Sequence, residues 1–265
     1  MHKSFFCLCF SLVALSSAFG QEVEIGTTIG FSNYFGDLAP TPVLTETKPA
    51  GAIFGRYNIS SSFAFTGSCS VGMVSGSDQN FKENQYRNLS FRSSIYEMAT
   101  LVEFNFLKYG VGVLDKPYTT YIFAGVAATG FNPQANANGL WIDLSNIQTE
   151  GKKYSTLAVS VPFGMGFKWR MTKHIALEGN VGFRRLYSDY LDDVSGTYPN
   201  VLSILEKNGQ LAALLSDRSV EISGQPFTSK EGFRRGNSDF DDWYIMGGIS
   251  LTYRFYSRIK CARFY

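Results

Sequence analysis

The sequence predicts an all-β fold: one eight-stranded antiparallel transmembrane β-barrel with long external loops, the last of them partly helical. Three observations carry this expectation. Segments of about ten residues alternate between apolar and small or polar side chains, as spanning strands do. The connections between them alternate short and long. No segment after the N-terminus holds the roughly eighteen consecutive apolar residues that a spanning helix needs.

The clearest strand is Leu157–Trp169. Leu157, Val159, Val161, Phe163, Met165, Phe167 and Trp169 are apolar, whereas Ala158, Ser160, Pro162, Gly164, Gly166 and Lys168 between them are small or charged. Strand side chains alternate faces with period two, so one face suits lipid and the other a crowded polar interior. The same reading gives strands at Glu22–Phe31, Ala50–Tyr57, Phe63–Met73, Glu97–Phe106, Tyr118–Thr129, Thr156–Arg170, Ile175–Arg185 and Trp243–Phe255. Ser32–Pro49 and Val74–Tyr96 are long connections, and Leu186–Asp242 is very long. Asn58–Ser62 and Met171–His174 are short and Leu107–Pro117 is of medium length. Bacterial barrels pair short periplasmic turns with long external loops, so both termini are expected to be periplasmic.

The N-terminus reads as a secretory signal peptide over residues 1–20. Lys3 supplies the charge, Phe5–Leu15 a short apolar core, and Ser16–Gly20 small residues for cleavage after Ala18 or Gly20. Cys7 and Cys9 lie in that core without a lipobox context. Residues 21–265 then form one barrel domain, with a final loop over about 186–242 and a periplasmic tail over 256–265. Abundant glycine and aromatics and only 17% charged residues suit tapered strands with interfacial girdles. A net charge of +2 gives no reason to expect a nucleic-acid partner.

On the predicted strands Glu24, Arg56, Glu97, Glu103, Lys168, Arg170, Glu178 and Arg184 fall opposite the apolar face, four acids against four bases. Eight strands enclose little room, so these side chains are expected to pair inside; a conducting or proton-relaying lumen is the alternative. In the final loop, Asn200–Ser216 has a helical rhythm broken at Asn208-Gly209, which predicts two short helices capping the external mouth.

No catalytic, cofactor-binding or metal-binding residue is assigned. The mature chain has one histidine, His174, in a predicted periplasmic turn, and a lipid-modifying hydrolase needs a base near its external nucleophile. Asp189, Asp192 and Asp193, and Asp239, Asp241 and Asp242, form two acidic clusters in the final loop. They could hold Ca²⁺, but ordering of the loop by Arg184, Arg185, Arg234 and Arg235 is the preferred reading. Trp141, Trp169, Trp243, Tyr109, Tyr118 and Tyr121 are expected in interfacial girdles. Cys69 is predicted to face lipid and Cys261 lies in the tail; two free thiols are favoured over a disulfide.

Particular strings go further. Asn33-Tyr-Phe-Gly-Asp-Leu-Ala-Pro40, Arg56-Tyr-Asn58, Arg87-Asn-Leu-Ser-Phe-Arg92, Phe131-Asn-Pro-Gln-Ala135, Thr149-Glu-Gly151, Asp189-Tyr-Leu-Asp-Asp-Val-Ser195, Leu215-Ser-Asp-Arg-Ser219 and Arg235-Gly-Asn237 occur in this order. Together they resemble the PorG-like outer-membrane proteins of Bacteroidetes, over about Glu22 to Phe255. The resemblance implies a non-enzymatic accessory or anchoring component of a type IX protein secretion machine, integral to the outer membrane and in contact with periplasmic ring-forming subunits. It carries no catalytic residue over to this chain, and no cofactor or small-molecule substrate is identified. A small porin-like channel and a surface adhesin are the alternatives, with a lipid-modifying enzyme behind them.

Overall fold

The computed structural model describes residues 22–109, 116–224 and 230–255. The expected signal peptide, the tail with Cys261, and part of the Leu107–Pro117 turn lie outside the described residues. The strands are β1 (Glu22–Phe35), β2 (Lys48–Asn58), β3 (Phe63–Ser77), β4 (Ser90–Asn105), β5 (Tyr118–Ala137), β6 (Leu140–Asp143), β7 (Leu157–Arg170), β8 (Ile175–Leu186) and β9 (Trp243–Phe255). The helices are α1 (Leu144–Ile147), α2 (Val201–Asn208), α3 (Gln210–Ser216) and α4 (Val220–Ser223).

Each wall strand pairs antiparallel with its neighbours, in the order β4-β3-β2-β1-β9-β8-β7-β5, and a β4–β5 ladder closes the ring. Closure leaves no unpaired wall edge, which a strand structure in lipid requires. The outer wall is apolar: Ile29 is 80% exposed and Met98 69%. Ile53, Val71, Val126, Val159, Met165 and Ile249 share that orientation. A continuous exposed apolar belt is the surface of a barrel immersed in lipid.

All eight expected wall strands are present, but several run further toward the long loops. β1 continues to Phe35, β3 to Ser77, β5 to Ala137, and β4 begins at Ser90 rather than Glu97. The added residues include Asn33, Ser75, Arg92 and Gln134, beyond the greasy band, so the apolar alternation that marks a lipid-facing strand stops while the ladder continues. β6 is a further departure. It folds back on β5 through Asn138 and Gly139, both at positive φ (51° and 87°), the conformation an Asn-Gly hairpin favours.

The two short turns use hydroxyls to satisfy the backbone. Ser60 Oγ accepts from the Ser62 and Phe63 amides, and Thr172 Oγ1 accepts from those of His174 and Ile175. The helical hairpin breaks at Gly209 as expected (φ 89°), and Asn200 caps α2 by accepting from the amides of Leu202 and Ser203. Ile204, Ala212 and Ala213 pack together with Ile147 of α1, and Leu215 packs with Leu144 and Ala135. The helices thus pack on the β5–β6 hairpin. The long-loop mouth itself is filled by Leu191 and Val194 of the final loop with Leu38 and Leu89.

Candidate functional site

Two polar constellations remain once the wall is set aside, one in the bore and one under the long loops. The bore network follows from strand register. Glu24 stands opposite Arg56 on β2 and Arg254 on β9, and Lys168 stands opposite Glu178. Arg56 is its hub. Its Nη1 lies 2.7 Å from Glu24 and 2.6 Å from Glu178, its Nη2 2.8 Å from the other Glu178 oxygen, and its Nε 3.0 Å from Glu103. Lys168 Nζ reaches Glu103 at 2.5 Å and Asn105 at 3.1 Å, and Arg254 Nη2 reaches Glu24 at 2.8 Å. Thr66 and Thr252 donate to Glu103 and Glu178. Buried charges are tolerated when paired and hydrogen-bonded in this manner.

Further up the bore, Glu97 accepts from Tyr244 at 2.6 Å and pairs with Arg184 at 3.4 Å. Between the two groups lies a cavity of about 80 Å³ bordered by Thr28, Ala52, Phe54, Ser68, Tyr121 and Phe123. That is room for a few waters. The Phe123 ring narrows the bore because Gly164 and Gly182 make space for it; a Cβ at either would stand 2.7 Å from its tip.

Seven of the eight charges expected inside are buried. Arg170 is the exception: it ends β7 at the short-turn rim and is half-exposed. Arg254, which the sequence reading left out, is buried and completes the set of four bases. Its parity with Thr252 and Ser250, opposite Leu251 and Tyr253, was the available signal. Two expected girdle residues are also inside. Tyr121 is buried with Lys168 Nζ 4.2 Å from its ring, and Tyr109 is buried beneath the bore, 5.0 Å from the Arg254 guanidinium. Tyr121 shares parity with Thr119, and Tyr109 folds back to donate its amide to Ser61. Trp169 and Tyr118 do face outward at the short-turn rim. Trp243 packs edge-on against Phe163 at the opposite end. Trp141 sits on β6, where the Arg92 guanidinium covers it at 3.7 Å, beyond the wall rather than in a girdle. Cys69 is exposed on the wall and free.

Under the long loops the acidic clusters separate. Tyr34 Oη lies 2.7 Å from both Asp192 and Asp242. The other oxygens of these carboxyls accept from the Val194 and Leu191 amides, each at 2.9 Å. Thr149 and Tyr154 donate to Asp193, and Arg235 bridges Glu150 (2.8 Å) and Asp193 (3.7 Å). Arg185 pairs with Asp241 at 2.7 Å, while Asp239 stays exposed. Two of the four arginines expected to order the clusters therefore do so. Arg184 turns into the bore instead, and Arg234 donates to the Gly236 carbonyl. Burial pushes Asp193 up to about 6 and Asp189 up to about 8, and raises Asp192 and Asp242 as well. Among the described residues no three acidic, histidine or cysteine side chains converge on a metal position.

The family described as "Domain of unknown function (DUF6089)" matches residues 3–211. The chain belongs to the DUF6089 family. No curated protein is similar to it in sequence. Among solved structures it is similar to Ail, the attachment invasion locus protein of Yersinia pestis, in complex with the heparin analogue sucrose octasulfate. That match has 9% identity and a TM-score of 0.44, over 89% of this chain and 100% of that one. Neisserial surface protein A matches at 8% identity and TM-score 0.42, over 89% and 98%. The outer membrane protein OprG of Pseudomonas aeruginosa matches at 8% and 0.42, over 90% and 97%.

Proposed function

We propose that this DUF6089 barrel is a non-enzymatic integral protein of the outer membrane. It acts as an accessory or anchoring component of a type IX protein secretion machine, with its short turns and both termini on the periplasmic side in contact with ring-forming subunits. The observation that favours an anchor over a conduit is the filled bore. The Arg56 network blocks one end, and the apolar packing of Leu191 and Val194 fills the other. Such an interior serves stability rather than passage. His174, the one histidine of the mature chain, sits in the Met171–His174 turn with Nδ1 3.2 Å from the Arg254 carbonyl, remote from the acidic residues under the long loops. The secretion role itself is supported by the ordered strings from Asn33–Pro40 to Arg235–Asn237.

A surface adhesin is the second reading. It is favoured by Leu202 (68% exposed), Leu205, Leu211 and Leu214, which leave one face of the α2–α3 hairpin apolar and uncovered. Affinity purification of the tagged protein from detergent-solubilised outer membranes, followed by mass spectrometry, tests the first reading. Recovery of periplasmic ring subunits supports it. Recovery of the barrel alone, from cells that secrete normally without the gene, rejects it in favour of the adhesin.

A further inference from the structure

Charge is distributed unevenly along the barrel axis. The long-loop end carries twelve Lys and Arg against sixteen Asp and Glu, and the bore four against four. At the short-turn rim the charged side chains that are described are Lys108, Lys116, Arg170 and Lys173, all basic. By sequence the flanking segments add Glu22 and Asp115, and then Arg258, Lys260 and Arg263 beyond β9.

The four cations also share one arc. The Arg170 amide donates to the Pro117 carbonyl at 2.7 Å, and Tyr118 is in register with Trp169, which sets Lys116 beside Arg170. Thr119 exchanges hydrogen bonds with the Leu107 backbone, bringing Lys108 to the same place. Lys173 occupies the adjoining β7–β8 turn. The remaining turn, Ile59–Ser62, carries no charge. Lys108, Lys116 and Lys173 are exposed, Arg170 is half-exposed, and none of the four forms an ion pair among the described residues.

We infer that this arc is a docking surface for an acidic face of a periplasmic protein. Charge complementarity of this kind steers encounter and sets orientation. Lipid headgroups surround a barrel on all sides, so a rim built to read lipid would spread its cations around the circumference. Among the described residues the rim cations are confined to one side, which fits a body docked on one side. The inference rests on the anchoring reading and adds the chemistry of the contact.

The test compares the full-length protein with a K108E/K116E/R170E/K173E variant, each shown to be folded by its heat-modifiable gel mobility. Tagged forms are purified from outer membranes at low and high salt. Wild type is expected to retain periplasmic ring subunits at low salt, and the variant to lose roughly ten- to hundredfold, the sum of four rim pairs of modest strength. High salt should produce the same loss in wild type. Equal recovery by both proteins at both salts overturns the basic-arc proposal and leaves the secretion role standing. If wild type recovers no subunit, the secretion role fails, and a second measurement decides the arc: fluorescent poly-L-glutamate titrated onto each protein in phosphatidylcholine nanodiscs. Saturable binding lost in the variant supports an acidic protein partner. Absence of binding overturns it, as does selective retention of phosphatidylglycerol by wild type without poly-L-glutamate binding, which assigns the arc to lipid.

Discussion

Arg56 on β2 grips Glu178 on β8 from across the bore, with Nη1 and Nη2 2.6 and 2.8 Å from the two carboxylate oxygens. These strands are not neighbours; β1 and β9 stand between them in the ring. The contact therefore braces the barrel across its interior, where the wall ladder cannot. With Lys168 and Arg254, Arg56 balances the three glutamates that lie within reach of its guanidinium.

Removing that guanidinium should be costly. Arg56→Met leaves Glu24, Glu103 and Glu178 with only Lys168 and Arg254 to balance them, and breaking a buried pair costs about 3–5 kcal/mol. Arg56→Lys should recover only part of the loss, because an ammonium cannot make the forked contact. The urea midpoint of the detergent-folded protein, read by heat-modifiable mobility, reports both. A companion Glu178→Gln change in the Met background should cost less than it does alone, since the carboxylate it removes has already lost its partner.

The filled bore makes a second prediction. Reconstituted wild type should show no stable conductance in planar bilayers, because the chamber of about 80 Å³ is bounded by Arg56 and its partners on one side and by Arg184 and Met246 on the other, and Leu191 and Val194 fill the mouth beyond. A steady ohmic step scaling with protein concentration would return the porin reading to the front.

Tyr34 imposes a proton count on the cap. Its hydroxyl has one hydrogen, yet it lies 2.7 Å from carboxyl oxygens of both Asp192 and Asp242. Backbone amides occupy the other two oxygens, so one carboxyl must itself be protonated and donate to the phenol. Burial raises both acids above the ordinary carboxylate range, with Asp193 at about 6 and Asp189 at about 8. A closed cap then holds protons that an open one releases. Its stability is full below about pH 4 and falls as pH rises from there through the raised pKa values of these acids, about 6 for Asp193 and about 8 for Asp189. Protection of the Leu191 and Val194 amides, taken relative to their intrinsic base-catalysed exchange, should fall accordingly as pH rises. Asp192→Asn should flatten the dependence, and an unchanged slope in that variant would remove Tyr34 and its partners as the cause.

The parts legible in sequence are those on which lipid imposes a pattern. A strand crossing the apolar band must alternate over about ten residues, which is why β7 is the clearest strand in the sequence and why the strand count can be read from alternation and turn lengths. Beyond the band that demand lapses, so the upper ends of β1, β3, β4 and β5 went unseen. The Asn138-Gly139 hairpin was visible in turn chemistry but carries no greasy face. Parity would have placed Arg254 and Tyr121 inside, whereas aromatic identity alone assigned Tyr121 to the girdle. The cap was least legible: Asp193 finds its partners at Thr149, Tyr154 and Arg235, and Asp192 finds Tyr34 from the opposite end of the chain. No local spacing encodes such meetings.

The α2–α3 hairpin allows a prediction with a built-in control, since adjacent residues differ in burial. Ile204 is 3% exposed and packs on Ala212, Ala213 and Ile147, whereas Leu205 is 42% exposed. Ile204→Ala removes buried methylenes and leaves a space, so it should destabilise the hairpin by about 2–4 kcal/mol. Leu205→Ala removes surface already in contact with water and should cost within about 0.5 kcal/mol. Hydrogen exchange over residues 201–216 separates the two, because the hairpin can open locally without unfolding the wall. Fast exchange in the Ile204 variant with a native urea midpoint would show the helices to be a stably folded accessory of the β5–β6 hairpin. Equal exchange in both variants would mean that Ile204 does not hold them in place.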